Sequence, residues 1–139
     1  MARTIRIGGQ DFETIRTNDH FYVDKTNFIR EWWEAGDDVT LITRPRRFGK
    51  TLNMRMMQQF FSQDYAGRSD LFYGLSIWKE EEYRKLQGTW PVIFLSFADV
   101  KETTFAQART SIFCIIEDLY EQYSFLLESD LLSQKEKRF

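Results

Sequence analysis

The residues of this chain best suited to chemistry lie in one run, Thr43-Arg44-Pro45-Arg46-Arg47-Phe48-Gly49-Lys50-Thr51. The run ends in Gly-Lys-Thr, between a β-branched apolar stretch and an amphipathic one, an order that belongs to phosphate-binding loops. The chemistry calls for these residue types. Gly49 lets the backbone approach an anion without a Cβ in the way. Amides at the start of the following helix point toward the anion. Lys50 can reach the β- and γ-phosphate oxygens, and the Thr51 hydroxyl can ligate Mg²⁺. A strict G-x-x-x-x-G-K-[ST] match fails at Arg44, which stands where the first glycine would be. The plainer reading of the same residues is a solvated basic turn ahead of a core helix.

Charge is concentrated at the same place. Between Val39 and Gln63 there are five basic residues (Arg44, Arg46, Arg47, Lys50, Arg55) and no acidic one. The net charge of the whole chain is −2, so this window carries +5 and the remainder −7. A basic focus in an otherwise acidic protein suits an anionic ligand held at one point better than a broad nucleic-acid face.

These residues need elements to position them. Val39-Thr-Leu-Ile-Thr43 reads as a short buried strand of the parallel type. A helix follows over 50–62, with Leu52, Met56, Met57, Phe60 and Phe61 on one apolar face. Upstream, Asp24 or Thr26 can cap a helix that runs to Ala35 and stops at Gly36. Downstream, 65–77 reads as a connector and 79–86 as a charged helix. Trp90 to Phe97 reads as a second strand, and Thr104 caps a long helix over 105–127. A final helix opens near Ser129 or Ser133. This order predicts an α/β protein, a P-loop NTPase-like three-layer fold with a parallel sheet, of which the chain is the N-terminal part. It divides into an arm and helix (1–38), a strand–loop–helix unit (39–63), and a connector with the second strand and later helices (64–139).

With 139 residues the chain has room for one domain. A single cysteine (Cys114) and a single histidine (His20) exclude an intramolecular disulfide and a Cys/His metal cluster. Cys114 falls near the apolar stripe of the long helix and reads as buried. No stretch approaches the ~20 apolar residues of a membrane helix, and the N-terminus lacks the apolar core of a signal peptide. The expected compartment is the cytoplasm, with no membrane partner.

Three longer runs extend the pattern: Tyr22-Val23-Asp24-Lys25-Thr26, then Leu41 to Leu52, then Phe60-Phe61. Together they closely resemble the bacterial and archaeal AAA-ATPase-like family, whose members carry a variant phosphate loop of this Arg-Pro-Arg-Arg-Phe-Gly-Lys form. Leu71-Phe72-Tyr73-Gly74-Leu75 and Pro91 to Phe97 are similar to it as well. The resemblance implies a P-loop fold that binds ATP with Mg²⁺, and makes Arg44 a family feature. By resemblance Lys50 and Thr51 are the phosphate and magnesium residues, and the backbone of 46–49 is the cradle, with Arg44 to Phe48 forming the loop around it. Asp24 and Lys25 match an upstream signature and are candidate nucleotide or loop contacts; a helix cap is the other reading. Many members continue into a nuclease-like domain of the PD-(D/E)XK type, which makes further parent domains, and nucleic acid for the full-length parent, candidate partners.

Hydrolysis needs an acid at the end of an apolar strand to hold Mg²⁺ and orient water. Asp99, after Phe94-Leu95-Ser96-Phe97-Ala98, is the one candidate, and its run does not match the family's acid-bearing strand. The chain therefore reads as the nucleotide-binding portion of a longer ATPase, with no catalytic residue assigned and turnover near background. An open sheet edge would allow self-association. The competing readings are a non-enzymatic module that binds anions or nucleic acid, and a decayed NTPase fold.

Overall fold

Asp11 begins the first helix. Its carboxylate accepts the Thr14 N–H at 3.1 Å, supplying one of the acceptors that a helix start lacks. The computed structural model describes residues 3–138. It divides into two compact units, Met1–Val92 and Ile93–Phe139.

The first unit holds α1 (Phe12–Thr17), α2 (Asn27–Ala35), α3 (Lys50–Phe61) and the short α4 (Glu81–Arg84), with three 3₁₀ turns, Gln63–Tyr65, Ser69–Phe72 and Ser76–Lys79, between α3 and α4. α2 ends at Gly36 in a left-handed C-cap, as its sequence predicts. α3 spans the expected residues and buries Met56, Gln59, Phe60 and Phe61. The core joins Met56, Phe60 and Phe61 to Phe12, Ile29, Leu71, Phe72, Leu75, Ile77 and Tyr83. Phe72 is its hub: Phe60 meets it edge-on at 5.0 Å between ring centroids and Phe12 stacks on it at 5.2 Å. Such aromatic pairs add about 0.5–1.5 kcal/mol each beyond the area they bury.

The connector is held to the helices by arginines. Arg16 donates from Nε to the Leu71 carbonyl and from Nη2 to the Tyr73 carbonyl, both at 2.7 Å. Arg68 pairs with Glu13 and Asp70. Beyond α4 the chain returns along the end of α3. The Gly88 N–H donates to the Phe60 carbonyl at 2.8 Å and the Trp90 N–H to the Phe61 carbonyl at 2.9 Å. Gly88 has φ +69, and a Cβ built on it would sit 2.4 Å from the Ala66 Cα.

In the second unit the Thr104 hydroxyl accepts the Gln107 N–H and starts α5 (Phe105–Gln122). α6 (Ser124–Glu128) follows a break at Tyr123. The Ser133 N–H and hydroxyl both donate to one Glu136 carboxylate oxygen, and the Glu136 N–H donates back to the Ser133 hydroxyl, ahead of a single 3₁₀ turn, Glu136–Arg138. This is the reciprocal pattern of a capping box. α5 buries none of its residues, and Cys114 is exposed, contrary to its expected burial.

The expected α/β parallel-sheet fold is not what the chain forms. Among the described residues there is no β-ladder, only an isolated parallel bridge between Ser62 and Trp90. The two expected strands are non-helical and, apart from the Trp90 bridge, join no β-ladder, with Val39 85% and Leu41 82% exposed in one, and Ile93 64% and Phe97 52% exposed in the other. The physical reason lies in what β-propensity measures, the fit of side chains to neighbouring strands and packed faces. Apolar, β-branched composition marks a segment that would suit a sheet interior, but it does not supply the partner strand at ~4.8 Å that a ladder requires. The described structure is helical and 3₁₀, not the expected three-layer P-loop architecture.

Candidate functional site

The Arg-rich run folds as an exposed loop at the N-terminus of α3. Arg44, Pro45, Arg46, Arg47 and Phe48 are exposed, and Gly49 and Lys50 are partly buried. Two residues turn the chain through the left-handed region, Arg47 at φ +67 and Gly49 at φ +73. Gly49 is the N-cap of α3 and contributes no side-chain cap. Its carbonyl accepts the Asn53 N–H at 2.9 Å, closing the first turn. The amides of Lys50, Thr51 and Leu52 precede any carbonyl that α3 could offer them, so they are the donors this helix start presents outward. The helix dipole adds a partial positive charge at the same point.

Lys50 folds back over the loop. Its ammonium donates to the Arg44 carbonyl at 2.6 Å, across six residues. This contact draws Arg44, the position that departs from the glycine pattern, toward the helix start. Thr51 is exposed on the first turn of α3. The loop thus brings together Arg44, Arg46, Arg47, Lys50 and the first amides of α3 on an open surface. An anion fits this setting, since every charged group on the loop is cationic and no carboxylate lies within 44–51. A Cβ built on Gly49 meets nothing within 4 Å, so glycine is favoured there by its backbone angle and not by close packing.

Asp24 sits elsewhere, ahead of α2, with its carboxylate fully engaged. One oxygen accepts the Thr26 N–H at 2.9 Å and the Thr26 hydroxyl at 2.6 Å. The other accepts the N–H and the hydroxyl of Ser76, each at 2.7 Å. Partial burial pushes the Asp24 carboxyl up, but these hydrogen bonds outweigh it and hold it below the usual carboxylate range. Lys25 is exposed. Nearby, the Tyr22 hydroxyl accepts the Lys25 N–H at 3.4 Å and donates to the Met56 sulfur of α3 at 3.3 Å. Burial pushes this hydroxyl up to about 12. Sequence reasoning singled out Asp24 but had no way to find its partner, because Ser76 lies 52 residues on and carries no motif.

Asp99 lies in the second unit and is exposed. Among the described residues no group of three or more His, Cys, Asp or Glu side chains is placed to hold a metal ion. Also among them, no helix is long and apolar enough to cross a membrane.

A family model described as "Predicted AAA-ATPase" matches residues 6–139. The chain belongs to this AAA-ATPase-like family. An uncharacterized protein of Azotobacter chroococcum mcd 1, described by its position in the vnfD 5′ region, is 36% identical over 96 residues. That stretch is 68% of this chain and 17% of the Azotobacter protein, so the chain spans a small part of the relative it matches. No solved structure matches.

Proposed function

We propose that the chain binds a nucleoside triphosphate, ATP by family, with its phosphates seated on the 44–51 loop. The observation that carries this reading is the Lys50–Arg44 contact. An ammonium bonded to the Arg44 carbonyl is held within the basic turn that leads into α3. Exchanging that neutral acceptor for a phosphate oxygen turns an ammonium–carbonyl bond into an ion-paired hydrogen bond with an anion. Arg44, Arg46 and Arg47 add positive potential from the solvent side, and Phe48 and Pro45 belong to the same turn. Thr51 is the residue that would hold Mg²⁺, and the ion when bound would neutralise phosphate charge.

Thermal unfolding with Mg-ATP tests this reading. Ligand at about 100 times its dissociation constant adds about 2.7 kcal/mol to the folded state, which for a unit of this size raises Tm by on the order of 10 °C. The absence of any shift at millimolar Mg-ATP would remove the proposal.

The exposure of Arg44, Arg46 and Arg47 also favours a second reading, non-enzymatic binding of nucleic-acid phosphates. That binding would weaken steeply with salt, whereas Mg-ATP binding at a single built site would not fall with the same slope. Salt-titrated binding of duplex DNA separates the two readings.

A further inference from the structure

The segment Tyr22–Thr26 connects three elements. At one end the Asp24 carboxylate holds both the N–H and the hydroxyl of Ser76, the first residue of the Ser76–Lys79 turn. In the middle it closes the turn into α2 through Thr26, and the fully buried Thr26 hydroxyl donates nothing further but accepts the Ile77 N–H at 3.2 Å. At the other end the Tyr22 hydroxyl, anchored by the Lys25 N–H, reaches the buried Met56 sulfur on α3. The Tyr22 ring also meets Phe12 edge-on at 5.3 Å. Met56 lies six residues along α3 from Lys50, about 9 Å down the helix axis at 1.5 Å per residue.

We infer that Asp24 is a positioning residue: with Ser76, Thr26 and Tyr22 it forms a strut that seats α3, and through α3 the phosphate loop at its N-terminus. The inference rests on the phosphate-binding reading for its functional consequence, but not for the strut itself. It assigns the Asp24 carboxylate to Ser76 and Thr26, with all four of its hydrogen bonds internal, and gives Ser76 a role that its sequence context does not suggest. Neither residue needs to touch the ligand. The contribution is geometric, since a rigid helix transmits a change of seat at Met56 to the amides of its first turn.

The test compares Asp24→Asn, Ser76→Ala and the double variant in the full chain. Ser76→Ala is the mild substitution, removing one hydroxyl bond while keeping the backbone N–H, so it provides a folded comparison if Asp24→Asn is too unstable. Hydrogen exchange of the unliganded chain comes first. The strut predicts faster exchange at the amides of 76–77 and also within α3 around Met56, in both single variants. Changes confined to 24–26 and 76–77, with α3 unaltered, would overturn the inference.

Mg-ATP affinity comes second. The strut predicts that both single variants weaken it, by about two- to tenfold from the loss of ordinary hydrogen bonds, and that the double variant is no worse than Asp24→Asn, because the two residues act as one unit. If Asp24 instead touches the nucleotide, Asp24→Asn weakens binding with α3 exchange unchanged and Ser76→Ala has no effect; that result also overturns the inference. If the wild-type chain binds no Mg-ATP, the phosphate-binding reading fails by itself, and the exchange data still decide whether the strut exists.

Discussion

Gly88→Ala tests the packing of the first unit at one atom. A Cβ there would lie 2.4 Å from the Ala66 Cα, 2.9 Å from its Cβ and 3.0 Å from its backbone nitrogen. Backbone atoms cannot swing aside as a long side chain can, so the 88–90 segment must move by on the order of 1 Å, at an overpacking cost of about 1–3 kcal/mol. The positive φ adds about 1–2 kcal/mol for a residue with a Cβ, offset by about 0.4–1 kcal/mol from the stiffer unfolded chain. Moving the segment also loosens the Gly88 and Trp90 amide bonds to the end of α3, which are 2.8 and 2.9 Å long. The net loss is about 2–4 kcal/mol. Gly49→Ala is the matched control, with φ +73 and nothing within 4 Å of its added Cβ. It bears the backbone strain alone, at about 1 kcal/mol. All four tryptophans, Trp32, Trp33, Trp78 and Trp90, belong to the first unit, so urea unfolding followed by intrinsic fluorescence reads that unit. Ala66→Gly should not rescue Gly88→Ala, because the Ala66 Cα and nitrogen contacts remain. A Gly88→Ala loss no larger than that of Gly49→Ala would refute the close approach of 88 to 66.

Met56→Ala should cost about 2–5 kcal/mol, since the side chain is fully buried among the core aromatics; denaturant midpoints check this. The Asp24 and Asp11 carboxyls are both held below their ordinary range: burial raises each, and hydrogen bonds, chiefly from Thr26 and Ser76 for Asp24 and from Thr14 and Gln59 for Asp11, overcome it. Their contribution to stability is therefore complete above the unfolded carboxylate value of about 3.9 and is lost as pH falls through the lower folded values. Melts between pH 6 and pH 2 should show this acid slope, reduced in Asp24→Asn. The exposed Cys114 should react with a thiol reagent in the folded chain at a rate near that in denaturant, and strong protection would contradict its placement.

The sequence read the helices well where local signals agree. The 3.6-residue apolar period and Gly36 mark α2, and the Met/Phe spacing marks α3 to within a residue. The Thr104 cap was legible for the same reason, since a cap is a contact across three residues. Two local features were missed, the Asp11-capped α1 and the break at Tyr123 in the helix expected over 105–127; the larger failures were non-local. Val39–Thr43 and Trp90–Phe97 carry strand composition, but pairing depends on a partner that composition cannot name. The three 3₁₀ turns between α3 and α4 have no period of their own; they follow from Leu71, Phe72, Leu75 and Ile77 burying against distant helices and from Arg16 and Arg68 gripping their carbonyls and acids. At the site, the loop and its cations were legible residue by residue. The Lys50–Arg44 contact and the attachment of Asp24 to Ser76 were not, since both depend on how the chain closes in space.

The central claim is that the 44–51 loop seats the phosphates of a nucleotide, with Lys50 at its centre. Equilibrium binding of Mg-ATP to the wild-type chain and to Lys50→Ala tests it most directly. Removing a charge-assisted contact of about 1.5–3 kcal/mol should weaken binding about 10- to 150-fold in the variant, with its fluorescence-monitored unfolding near that of the wild type. Equal affinity of the two proteins for Mg-ATP would contradict the account.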